Sequence, residues 1–103
     1  MDDLIYLVRQ TYQQDSFNQQ VPVDILTPVW AHFSSITRSE WTAAGQNGLN
    51  PAMVVSTAAA NYNGEQIVQI GDGSNAKRYG VYRTYRANDS DYIELYLEYK
   101  AGL

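Results

Sequence analysis

The sequence predicts a mainly β protein: a small antiparallel β-barrel of about six strands with one short helix and loop inserted midway. Three observations carry that expectation. Long stretches alternate apolar and polar residues with the period of two that a half-buried strand imposes. The connections between them are mostly short and rich in Gly, Asn, Asp and Ser, as hairpins require. Among the 103 residues there are nine tyrosines and two phenylalanines, and tyrosine suits pleated, half-wet faces and contact surfaces.

Taken in order, LIYLVRQTYQQ (residues 4–14) places Leu4, Tyr6, Val8 and Tyr12 on one period-2 face. DSFN (15–18) has turn chemistry, and QVPVDILTPVWAHFSSI from Gln20 continues as an extended segment. Pro22 and Pro28 lack the donor a central strand needs, which points to an edge strand or a bulge, so the two segments form a hairpin. Thr37 and Glu40 then have capping-box spacing, and RSEWTAAGQ is expected to make about two helical turns, ended by Asn47 and Gly48. Pro51 keeps Asn50 extended, so a strand resumes with AMVVSTAAA (52–60). NYNG (61–64) reads as a tight turn into EQIVQI (65–70), and GDGSN (71–75) as a looser hairpin tip. AKRYGVYRTYRA alternates, with Tyr79, Val81, Arg83 and Tyr85 on one face and Arg78, Tyr82, Thr84 and Arg86 on the other. NDSD turns the chain into YIELYLEYK, with Ile93, Leu95, Leu97 and Tyr99 expected inward.

Composition limits the function classes. A single domain of this length buries enough surface for a core, and with no cysteine there are no disulfides or thiolate metal sites. The formal charge of −4 argues against a ligand gripped through phosphates. MDDLIYLVRQ carries acid where a signal peptide wants base, and no window is long enough to span a bilayer, which favours a soluble, unexported domain.

Catalytic and metal-binding patterns are absent. His32, the one histidine, lies in an extended segment without a nucleophile elbow and reads as a surface or partly buried residue. The aspartates fall near termini and turns, and DGSN lacks EF-hand ligand spacing. No catalytic residue, cofactor or metal is assigned, and the chain is not read as an enzyme. Asn88-Asp89-Ser90 reads as a turn. Lys77, Arg78, Arg83 and Arg86 interleave with Tyr79, Tyr82 and Tyr85, the pattern of a small OB-like barrel binding single-stranded nucleic acid through residues 79–86. The plainer reading is that the arginines pair with Glu94 and Glu98 on the next strand. Trp41 fits no core pattern: it either staples the helix to the barrel or anchors a contact.

Three segments in order, ITRSEWTAAGQNGLNPAMVV, NYNGEQIV and KRYGVYRTYRANDSDYIELYLEYKAG, resemble the head closure proteins of tailed phages, also called head–tail joining, adaptor or stopper proteins. The resemblance covers residues 36–102. The chain departs from that pattern at Trp41, at Ala52 where an acidic residue is common, and in the longer GDGSN tip, all read as surface or loop details. What the resemblance implies is a structural virion protein, made in the bacterial host cytoplasm and located at the head–tail connector. There it forms a dodecameric ring beneath the portal–adaptor complex, closes the channel after packaging and docks the tail. Its implied partners are further copies of itself, monomeric in dilute solution, the portal-adaptor protein and a tail protein; genomic DNA passes without specific binding, and no membrane is involved. The family's moving loop carries over to Arg38, Ser39, Glu40, Trp41, Gly45, Asn47, Gly48, Leu49, Asn50 and Pro51, as an element facing the channel or a neighbouring subunit. Gly45 and Gly48 make that segment conformationally cheap to move. Arg78, Tyr82, Arg83 and Arg86 form a secondary candidate surface.

Overall fold

A computed structural model describes every residue except Met1, Asp72 and Ala101. Six strands, β1 (Asp2–Gln14), β2 (Gln20–Ser34), β3 (Pro51–Ala58), β4 (Ile67–Ile70), β5 (Lys77–Tyr85) and β6 (Tyr92–Glu98), close into an antiparallel barrel in the order β1-β2-β3-β6-β5-β4. One α-helix, α1 (Arg38–Gln46), connects β2 to β3. Among the described residues no helix is long and apolar enough to cross a membrane.

The alternation read from sequence becomes the inside and outside of the barrel. Ile5, Leu7, Val29, Ala31, Val55, Val68, Tyr79, Leu95 and Leu97 form the buried core, with Phe33, Tyr62 and Ile93 packed against it. On β1 the core face is Ile5 and Leu7, opposite the face of Leu4, Tyr6, Val8 and Tyr12 read from the sequence, of which Val8 alone is buried. Tyr99, expected inward, is 59% exposed, because β6 ends one residue earlier; its ring instead meets Tyr79 at 5.6 Å. Ala52, expected on the surface, packs against the core.

β1 and β2 pair without interruption from Asp2↔His32 to Gln14↔Gln20. β4 reaches only Ile5–Val8 of β1, and β3 only His32, Phe33 and Ser34 of β2. The remainder of the hairpin therefore stands as a two-stranded arm on a molecule 50 × 31 × 27 Å in extent. Its tip is built by Asp15, whose Oδ1 accepts from the amides of Phe17 (2.8 Å) and Gln19 (2.9 Å), with Asn18 at φ 61°. Phe17 at that tip is 80% exposed. Pro22 and Pro28 lie where β2 has only one neighbour, so the edge-strand expectation holds. Two-stranded hairpins are marginal alone, and Arg78 on β5 braces this one with an ion pair to Asp24 at 2.7 Å.

The 61–64 turn does not make a hairpin, contrary to the sequence expectation. β3 pairs with β2 and β6, while β4 pairs with β1 and β5, so the intervening chain crosses one end of the barrel. Tyr62 anchors the crossing, donating through its hydroxyl to the Glu65 carbonyl (2.7 Å) while its ring packs on the core. The physical reason is closure. Joining β3 to β4 directly would leave an edge of β1 unpaired, whereas β4 placed against β1 removes both barrel edges.

Candidate functional site

The segment 38–51 begins as the sequence requires. Thr37 is the N-cap, accepting from the Glu40 amide at 3.2 Å, and the helix spans Arg38–Gln46 as expected. Its end is a Schellman motif: the Leu49 amide bonds to the Ala44 carbonyl (3.0 Å) and the Gly48 amide to that of Gly45 (3.1 Å). Gly48 takes the left-handed conformation (φ 78°), whereas Asn47 stays at φ −94° and donates its side-chain amide to the Ala43 carbonyl. Both residues were expected to tolerate the left-handed state, but one is enough.

The second half of the capping box is not formed. The Glu40 carboxylate turns toward β5, where its Oε1 accepts from Arg83 Nε (3.0 Å) and Tyr82 Oη (3.2 Å). Arg83 lies with its guanidinium 4.0 Å over the Tyr96 ring, and Tyr96 meets Tyr82 at 6.2 Å. A bulge makes this cluster. The β5–β6 register shifts between Val81 and Arg83, so Tyr82 and Arg83, expected on opposite faces, both reach Glu40. Burial, and then the Glu40 charge and hydrogen bond, push the Tyr82 hydroxyl up to about 12.

The other side of the helix is open. Ala44 is the one buried residue of α1; Arg38, Ser39, Gly45 and Asn47 are exposed, and Leu49 is half-buried. Trp41 is 60% exposed, so the helix is not stapled to the barrel by it. Trp41, Gly45, Gly48, Leu49, Asn50 and Pro51 instead share one cleft of ≈430 Å³ with Tyr99. The Asn50 carbonyl accepts from the Tyr99 amide at 2.8 Å, which ties the loop to the end of β6. The fold thus brings six of the ten residues singled out in 38–51 around one aromatic cleft, and directs Glu40 away from it. Tyr99 was missed because the period-2 pattern of YIELYLEYK placed it in the core.

The secondary surface is less open than its sequence promised. Tyr79 is in the core. Arg78 donates to Gln69 Oε1 (3.0 Å) and to Asp24, and Arg83 is held by Glu40, so these arginines turn to acids other than Glu94 and Glu98. Arg86 is exposed and donates to the Ser90 carbonyl at 2.8 Å, within the turn that Asn88-Asp89-Ser90 was expected to form. His32 is exposed, and among the described residues no cluster of His, Asp and Glu could hold a metal ion. Comparison with protein-family models, with curated proteins and with solved structures gives no match.

Proposed function

We propose that this protein is a structural subunit of a phage head–tail connector, a head closure protein that forms a ring below the portal and adaptor, blocks the DNA channel and docks the tail. The reading rests on the three ordered segments that resemble that family. The observation that carries it is the cleft of Trp41, residues 48–51 and Tyr99, an aromatic surface built on a segment with little burial of its own. Exposed tryptophan and tyrosine around a cleft suit a protein partner, since such rings dominate interface energetics.

The same segment is the element that moves in this proposal. It is held by the Thr37 cap, by Glu40 to Arg83 and Tyr82, and by Asn50 to Tyr99. Side-chain contacts of this kind, exposed or only part-buried, open at low cost compared with the core strands. Opening separates Glu40 from β5 and frees the loop without disturbing the barrel ladder.

The test is electron microscopy of the protein mixed with portal–adaptor assemblies. A dodecameric ring on the adaptor is expected, with docking impaired in Trp41→Ala and Arg38→Ala. Absence of any ring overturns the function; normal docking by a folded Trp41→Ala, Arg38→Ala double variant removes the assignment of segment 38–51.

A further inference from the structure

A second groove crosses the outer face of β2, β3, β6 and β5. His32, Ser56, Glu94 and Tyr85 stand in register on the four strands, paired His32↔Ser56, Ser56↔Glu94 and Glu94↔Tyr85. Tyr92 lies one pleat farther along β6, paired to Ala58, and Trp30 lies one pleat farther along β2, its carbonyl accepting from Thr57 Oγ1 at 2.8 Å. Two adjoining clefts of ≈470 and ≈220 Å³ share Ser56 and Tyr92, which makes the groove continuous from Trp30 to Glu94 and Tyr85. Trp30, Tyr92 and Tyr85 are 69%, 62% and 52% exposed, so three large rings line one trough.

Charge selects among ligands for such a trough. Glu94 lines it, and the turn that borders it through Ala87 and Ser90 also carries Asp89, Asp91 and Arg86, the last held on the Ser90 carbonyl. Three carboxylates outweigh one cation, so the groove repels phosphate and attracts positive charge. Aromatic faces beside a carboxylate hold a planar guanidinium better than a compact ammonium, through stacking and fixed hydrogen-bond geometry. The molecule displays the same recognition one pleat away, where Arg83 lies over the Tyr96 ring and bonds to Glu40. Glu94 takes a long bond from Tyr96 Oη (3.4 Å), which leaves its remaining lone pairs for another donor.

We propose that this groove receives an arginine side chain carried on an exposed segment of a partner protein, its guanidinium stacked on Tyr92 or Tyr85 and hydrogen-bonded to Glu94. The site is separate from the segment 38–51 and does not depend on the connector reading.

The test is a titration of the isolated protein with acetyl-Gly-Arg-Gly-amide, followed by proton–nitrogen NMR, beside the same peptide carrying Lys or Gln. The Arg peptide is expected to bind saturably in the millimolar range, shifting the Trp30 indole and the Ser56, Tyr92 and Glu94 amides. The Lys peptide is expected to bind at least about threefold more weakly and the Gln peptide not at all, while Glu94→Gln and a Tyr85→Ala, Tyr92→Ala double variant, all changes on the outer face of the barrel, each weaken the Arg peptide by about fivefold or more. Equal shifts from Arg and Gln peptides, shifts confined to residues 38–51, or no saturable shift up to about 20 mM overturn the proposal. So does a disaccharide such as maltose shifting the groove residues while the Arg peptide leaves them unmoved, which makes the trough a sugar site. No portal or tail component enters the measurement, so its failure leaves the connector reading to its own experiment.

Discussion

Glu40 stands three residues after Thr37, where a capping box sends the carboxylate back to the N-cap amide. Its carboxylate lies instead between Arg83 and Tyr82. A carboxylate gains more from a guanidinium and a half-buried hydroxyl than from a solvated amide. Tyr82 bears the consequence. Its hydroxyl is neutral and donating, and burial followed by the Glu40 charge raises it from 10.0 to about 12. Because the folded-state value lies above the unfolded one, the associated stability is fully present below pH 10 and is lost as pH rises toward 12. Tyr62, Tyr79 and Tyr96 are raised in the same direction, chiefly by burial. The urea midpoint is therefore expected to hold steady up to about pH 9.5 and to fall between there and pH 11, with Tyr82→Phe flattening part of that fall. An unchanged slope in Tyr82→Phe refutes the raised Tyr82 hydroxyl as a source of that fall.

Helix α1 shows what an element reveals before its fold is known. Its limits, its cap and its stop follow from local backbone chemistry, which is why RSEWTAAGQ was legible residue for residue. The partners of its side chains were not, because Glu40 meets β5 across 43 positions of chain and through a bulge that no alternation announces. Burial of Tyr79 and exposure of Tyr99 were hidden for a related reason: tyrosine fits either environment, and only the end of β6 decides. The helix also separates two glycines that look alike in sequence. An added Cβ at Gly45 meets nothing within 4 Å and its backbone is helical, whereas Gly48 sits at φ 78°. Gly45→Ala is expected to stabilise the protein by about 0.5–1 kcal/mol and Gly48→Ala to destabilise it by about 1 kcal/mol, both read from chemical denaturation. If the proposed movement needs α1 to open, Gly45→Ala also slows amide exchange across the helix by about fivefold, and equal exchange in both proteins places the moving part elsewhere.

At the scale of the whole molecule, closure explains both what sequence showed and what it concealed. Strand number, antiparallel pairing and the core positions Leu95 and Leu97 follow from period-2 patterning, whereas on β1 the core takes Ile5 and Leu7 from the face opposite the one the pattern offered. The barrel order does not, since the pairing of β4 with β1 is set by the need to cover an open edge rather than by neighbouring turns. That order also settles where the positive charge goes. Closing the sheet places Arg78 beside Gln69 and within reach of Asp24, and lays Arg83 under Glu40, so two cations of the basic strand meet carboxylates within the molecule. The same closure puts Tyr79 inside, removing one ring from the row of three that made a stacking platform conceivable. What is left exposed on that row is Tyr85 with Lys77, Arg86 and an Arg83 already held by Glu40, on a chain of net charge −4. Single-strand binding needs a continuous basic groove along which successive bases stack, and its affinity rises steeply as salt is lowered. Titration with a fluorescent oligonucleotide at about 50 and 200 mM salt is therefore expected to be flat at both, whereas micromolar binding that weakens steeply with salt makes the 79–86 strand a nucleic-acid site and displaces the connector reading.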